Sequence, residues 1–214
     1  MILAASDVMG LGILGVAFVW KLLGGVLDSP RLLPPTKSTI DGLEYRVMPT
    51  ANAVDAANQL SRVRQAVDRV LAELKSIRSH PFNVADGVRH LLQKHPNASS
   101  VRLIELDPRD AEQTIAYNEG KSTQIYLCMR QNPPTDQLGP DDVLLYIVLH
   151  ELAHSMIPGF APMTSDGHTV HDQNFRDHNE YLNFIASSLG LIRPSNVPGQ
   201  PHCGVIMPDP AESP

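Results

Sequence analysis

A chain of 214 residues with 43% hydrophobic content holds enough apolar material for one ordinary core with accessories, which favours a single domain over two. Its formal charge of −6, with no basic run, excludes a general attraction to phosphate, so a nucleic-acid partner is not expected. Two cysteines are too few for a disulfide framework, and the fold must stand on its core.

The first element is apolar. Residues 8–27 carry one charge, Lys21, beside Trp20, and are long enough to cross a bilayer as a helix with Lys21 reaching toward one surface. An anchor fits better than a cleaved signal, because the residues before it hold Asp7 and no Lys or Arg, and no small-residue cleavage site precedes Asp28. A buried soluble helix is the third reading. Lys21, Arg31 and Lys37 on the C-terminal flank favour a cytosolic domain. Asn97-Ala98-Ser99 matches a glycosylation acceptor and would matter only if the domain were lumenal.

Residues 28–50 contain Pro30, Pro34, Pro35 and Pro49 and read as a partly extended spacer before a domain spanning 51–198. Val54, Ala57, Leu60, Val63, Val67, Val70, Leu74 and Ile77 then repeat at three and four, which predicts a long amphipathic helix that packs on a core. Its basic residues, Arg62, Arg64, Arg69, Lys75 and Arg78, read as a solvated face. A shorter helix is expected near Val84 to Lys94, and Val101 to Leu106 alternates like a strand. Thr114 to Tyr117 and Thr123 to Arg130, around Asn118-Glu119-Gly120, suggest a hairpin. Gln124 to Met129 is the expected free edge along which an extended substrate would lie.

The chemistry is concentrated in His150-Glu151-Leu152-Ala153-His154. Residues four apart on a helix stand one above the other, so His150 and His154 can direct imidazoles at one zinc ion, while Glu151, turned by about 100°, reaches a water on it as general base. The apolar run from Val143 to Leu149 before the motif, and Leu152, Met156 and Ile157 within and after it, predict a buried helix. Pro140, Asp141 and Asp142 suit its start, and Pro158-Gly159 its end. Two histidines and a glutamate buried together need partners, and one metal accounts for all three.

Catalytic zinc keeps three protein ligands and one open position, so a third must come from downstream. His168 and His171 compete for it. With Thr169 as N-cap and Asp172 three residues later, a second helix would carry His171 in its first turn, and His171, Phe175, His178, Leu182, Ile185 and Leu189 would form its inward stripe. That places His171 on the inward face, leaves His168 before the cap, and makes His178 a core histidine. Tyr126, Tyr146 and Tyr181 are available to stabilise an oxyanion, but no spacing selects one. In the Pro-rich tail, residues 199–214, Cys203 could reach the open zinc position as a thiolate, against the plainer reading of a buried cysteine packing on the domain.

Residues Ala116 to Lys121, Ile125 to Arg130, the motif helix from Leu144 to Ser155, and Gly167-His168 through His171 and Phe175 together resemble the WLM zinc metallopeptidases and their SprT-like relatives. Tyr45-Arg46-Val47 and Ala56-Ala57-Asn58 are similar to membrane-anchored WLM-like proteins of large DNA viruses and protists. The resemblance spans roughly residues 40 to 207, with a connection to the third histidine lengthened by residues 160–166. It implies an α+β fold: a minimal zincin-like domain with a small antiparallel or mixed sheet on helices, behind one transmembrane helix. It further implies zinc held by His150, His154 and His171, catalysis by Glu151, and protein or peptide substrates. Some family members cut proteins crosslinked to DNA, a role that does not carry over automatically. The alternatives are a non-catalytic zinc-binding interaction module and a helical membrane scaffold in which the motif is accidental.

Overall fold

The structure, a computed structural model, describes residues 33–107, 115–120, 122–130, 137–158, 171–193, 197, 199, 201–203 and 205–206. The apolar stretch 8–27 lies outside the described residues, and among those described no helix is long and apolar enough to cross a membrane.

Among the described residues, four helices and a mixed five-stranded sheet make an α+β fold. The strands are β1 (Pro35–Lys37), β2 (Glu44–Arg46), β3 (Arg102–Glu105), β4 (Ala116–Glu119) and β5 (Gln124–Leu127), in the order β1-β2-β3-β5-β4. β1 and β2 form an antiparallel pair, as do β4 and β5, whereas β3 runs parallel to both β2 and β5. Parallel neighbours need a long crossover. Helices α1 (Ala53–Ser76) and α2 (Ala85–Lys94) provide it between β2 and β3.

This corrects the expected spacer. Residues 35–46 supply two strands of the sheet, Tyr45 and Val47 enter the core, and the compact unit begins at Leu33. The prolines misled because Pro35 sits on the outermost strand β1, where a missing N–H costs no ladder hydrogen bond.

The expected hairpin forms, with Asn118 opposite Ile125 and Tyr117 opposite Tyr126. Its place in the sheet differs from expectation. β5 lies between β3 and β4, so its main chain is paired on both sides and cannot accept a substrate strand; the outermost strand on that side is β4.

The long helix α1 buries Ala57, Leu60, Val63, Val67, Val70 and Leu74 as its periodicity requires, while Val54 remains 46% exposed. Two of its basic residues are not simply solvated. Arg62 pairs with Asp141 and Arg64 with Asp41, fixing the helix to the start of the motif helix and to the β1–β2 turn.

The motif helix α3 (Asp141–Met156) is the centre of the domain, packing against α1, α2, α4 (Gln173–Ser188), β4 and β5. Burial of Leu144, Leu145, Leu149 and Leu152 contributes about 1.5–3 kcal/mol for each side chain. α4 presents Phe175, His178, Leu182 and Ile185 inward. Its start is corrected: Asp172 is the N-cap, its carboxylate accepting from the Phe175 N–H at 2.8 Å, so His171 stands just before the helix rather than in its first turn. Thr169 lies outside the described residues.

His178 is a core histidine. Nδ1 donates to the Asn174 carbonyl at 2.6 Å, and the ring lies over Gly87 of α2, where an added Cβ would stand 2.0 Å from Nε2 and 3.1 Å from Met156 Cβ. Gly87→Ala should therefore destabilise the fold by about 1–3 kcal/mol, the overpacking outweighing the roughly 1 kcal/mol that alanine gains over glycine inside a helix. Urea unfolding of the variant would measure it; an unchanged or raised midpoint would contradict so close an approach of α2 and α4.

Candidate metal centre

One turn of α3 separates His150 from His154, and the chain returns at the start of α4 to bring His171 against both. The ring centroids of His150 and His154 are 5.2 Å apart, those of His150 and His171 4.8 Å, and those of His154 and His171 5.2 Å. One nitrogen from each ring lies within 4.8 Å of the others, and the Nε2 atoms of His154 and His171 are 3.4 Å apart. Among the described residues this is the group of metal-capable side chains that converges. His168, the other candidate, lies outside the described residues.

Phe175 holds the rings in place. Only 2% exposed, it lies against His171 at 4.3 Å, His154 at 4.4 Å and His150 at 4.9 Å between centroids. The Asp172 cap fixes the turn carrying His171, and the Arg176 guanidinium donates to the His171 carbonyl at 3.2 Å. An aromatic wall that excludes water also disfavours imidazolium. Burial, with the repulsion of His154 and His171, pushes His150 down to about 3, and burial followed by His171 pushes His154 down to about 4. His171 is lowered by burial and by Arg176. At neutral pH all three therefore offer lone pairs.

This donor set fits a zinc ion. Zinc takes imidazole nitrogens at about 2.0–2.1 Å in tetrahedral geometry, which sets two such nitrogens roughly 3.3–3.4 Å apart. The His154–His171 spacing matches that edge. A direct hydrogen bond between two neutral imidazoles would use one pair of nitrogens and leave the approach of His150 unexplained.

Glu151 stands beside the triad, 6% exposed. Its Oε2 accepts from Asn118 Nδ2 of β4 at 2.7 Å. Burial raises its carboxyl up to about 7, against the Asn118 bond, which lowers it. The hairpin is tied to α3 a second time by Ser122, whose hydroxyl donates to the Glu151 carbonyl at 2.8 Å and receives a hydrogen bond from Ser155 at 2.6 Å. Ser122 has φ 64°, a left-handed conformation uncommon outside glycine, and is fully buried. The turn is held in this form by the bonds to α3.

No local spacing marks Asn118, Ser122 or Ser155 as neighbours of the site. Asn118 looked like a turn residue; its partner Ile125 is fully buried, and that inward parity identifies it only once the β4–β5 register is known. Of the tyrosines, Tyr126 stacks on Tyr117 at 4.6 Å, on alternate positions to Asn118 and Ile125, and Tyr181 bonds to His80 Nδ1 at 2.8 Å. Neither tyrosine is thereby directed at the triad.

Cys203 is joined to Cys128 in a disulfide across 75 residues. This corrects the thiolate reading, because a disulfide sulfur has no thiolate to give a metal. The tail docks through this bond, with β6 (Pro201–His202) pairing antiparallel to β7 (Val205–Ile206).

The fold and site define an α+β protein whose central helix carries a histidine pair and a buried glutamate, completed by a third histidine just ahead of the next helix. Solved structures similar to it include those of Wss1. Wss1 from Saccharomyces cerevisiae matches at 19% identity and TM-score 0.43, over 67% of this chain and 86% of that one. A mutant of the same protein matches at 18% and 0.46, over 67% and 87%. A Wss1 mutant from S. pombe matches at 18% and 0.37, over 61% and 84%. No protein-family profile and no curated protein matches the chain. At these identities the likeness is a distant one of fold, and the chemistry proposed below rests on the chain's own residues.

Proposed function

We propose that the chain is a zinc-dependent endopeptidase acting on protein substrates, with His150, His154 and His171 as metal ligands and Glu151 as general base. The observation that carries this reading is the convergence of three neutral imidazoles beside a carboxyl held by a single donor. A zinc ion there would supply Lewis acidity, polarising a peptide carbonyl and making water acidic near neutral pH.

The protein's own part is to position and to move a proton. Asn118 holds Oε2 of Glu151, which leaves Oε1 to take the proton from the attacking water and return it to the departing amine. A carboxyl raised toward neutrality is suited to both transfers. A purely structural zinc site would need neither a buried carboxyl next to its ligands nor a donor fixing it, and on that ground the enzyme is preferred to the non-catalytic module. In this reading residues 8–27 hold the domain at a membrane.

Purified full-length chain should cleave an unfolded protein when loaded with one equivalent of zinc, lose the activity to a chelator and regain it on zinc addition. Stoichiometric zinc binding without cleavage of any unfolded protein would leave only the interaction module.

Asn118 is a positioning residue. Asn118→Ala should lower turnover about 10-fold with zinc content unchanged. Because the Asn118 bond lowers the Glu151 pKa, its loss should also move the acid limb of the pH–rate profile to higher pH. A reduced rate with an unmoved acid limb would assign Asn118 to the fold instead.

A further inference from the structure

Two features that the metal centre does not use point in one direction. Cys128, 2% exposed at the end of β5, is bonded to Cys203 of the tail. More than the sulfurs holds these segments together. His202, 1% exposed, donates through Nε2 to the Cys128 carbonyl at 2.8 Å and packs on Gly139, where an added Cβ would lie 2.7 Å from its Cε1. The disulfide is thus built into a packed contact, and such bonds form and persist in oxidising compartments and are rare in the cytosol.

The second feature is Asn97-Ala98-Ser99, an acceptor pattern for N-linked sugar. Asn97 is exposed and caps a single turn of 3₁₀-helix (Ala98–Ser100), with extended backbone at φ −161° and ψ 170°. Its Oδ1 accepts from the Ser99 N–H at 3.0 Å, and Nδ2, the atom a sugar would take, belongs to this exposed side chain. A glycan there displaces no packed side chain. Against these stands the charge bias of Lys21, Arg31 and Lys37, a statistical preference of three residues. A disulfide between cysteines 75 residues apart is the stronger constraint.

We propose that the domain matures on the oxidising, lumenal side of a secretory membrane and that Asn97 carries an N-linked oligosaccharide there. In the first covalent step the Cys128 and Cys203 thiols together lose two protons and two electrons to an oxidised thiol oxidoreductase, whose own disulfide becomes two thiols. In the second, Asn97 Nδ2 loses one proton and bonds to the anomeric carbon of a lipid-pyrophosphate-linked oligosaccharide. The sugar–phosphate bond breaks, and the lipid pyrophosphate leaves.

The test uses the full chain expressed in a eukaryotic cell. Free thiols are blocked with a membrane-permeant alkylating agent before lysis, and the protein is run with and without an amidase that removes N-glycans. The expected result is a single downward mobility step, absent from Asn97→Gln and from Ser99→Ala, with the Cys128 and Cys203 peptides recovered joined. The two variants remove the acceptor pattern differently, Ser99→Ala keeping the Asn97 cap, so misfolding of one does not decide the outcome. Absence of the step in the wild type overturns the proposal, and so does recovery of both cysteines alkylated. Neither readout depends on peptidase activity.

Discussion

Glu151→Gln should reduce peptide hydrolysis by about 10²–10⁴-fold while leaving the zinc content of the protein unchanged. The amide is nearly isosteric with the carboxyl, and its oxygen can still accept from Asn118 Nδ2, so the hairpin should keep its place over α3. What the amide cannot do is take a proton from water. Removing a carboxyl that burial holds up at about 7 also removes a titrating group from the core, so the metal-free variant should be at least as stable as the wild type at neutral pH. The measurement is single-turnover cleavage of an unfolded protein alongside metal analysis of the same sample. A metal-loaded Glu151→Gln protein that turns over at the wild-type rate would rule out the proposed role.

The second large effect concerns the ligands. His154→Ala and His171→Ala should each weaken zinc binding by more than the roughly 10–100-fold that accompanies loss of a group that merely orients a ligand. Activity should fall in proportion to the zinc lost, and excess zinc should restore some of it. In the metal-free protein the burial of His150 and His154 holds their pKa values at about 3 and about 4, against 6.5 for the unperturbed ring. Below 6.5 the unfolded chain binds protons that the folded site refuses. The contribution of these rings to stability is therefore complete above 6.5 and is lost as pH falls toward their folded values. Glu151 runs the other way: raised from 4.5 to about 7, its contribution is complete below 4.5 and is lost as pH rises through 7.

The consequence for the metal follows from the lone pairs. Imidazoles that remain neutral in the folded protein should retain zinc down to about pH 5, below the value near 6.5 at which an unshifted histidine is half protonated. Zinc content after desalting across a pH series, with fluorescence reporting the fold, would show it. Half-release at or above 6.5 from a protein that is still folded would mean that the rings are not enclosed as described.

The elements whose evidence is local agree closely between sequence and structure. The apolar stripe of α1 and the run around the motif predict their helices because a period near 3.6 marks a buried face without reference to any other part of the chain. The same spacing argument puts His150 and His154 on one side of α3, and the inward stripe beginning at Phe175 brings the neighbourhood of His171 to them. Local signals also erred. Thr169 as a cap would put Asp172 in the first turn, but an aspartate competes well for the N-cap itself, and that shift moves His171 off the helix while leaving its ring at the site.

What the spacing of residues could reveal was which side chains share a helix face, and with it the histidine pair and its neighbouring glutamate. Only the folded chain decided the company they keep: Asn118 at the Glu151 carboxyl through the β4–β5 register, β5 enclosed between β3 and β4, two strands in place of a spacer, and Cys203 carried to Cys128. The division has a physical origin. Helix periodicity comes from hydrogen bonds between residues four apart, whereas strand pairing and disulfide partnership join residues tens of positions distant, and many pairings of those segments satisfy the same local pattern until the core selects one.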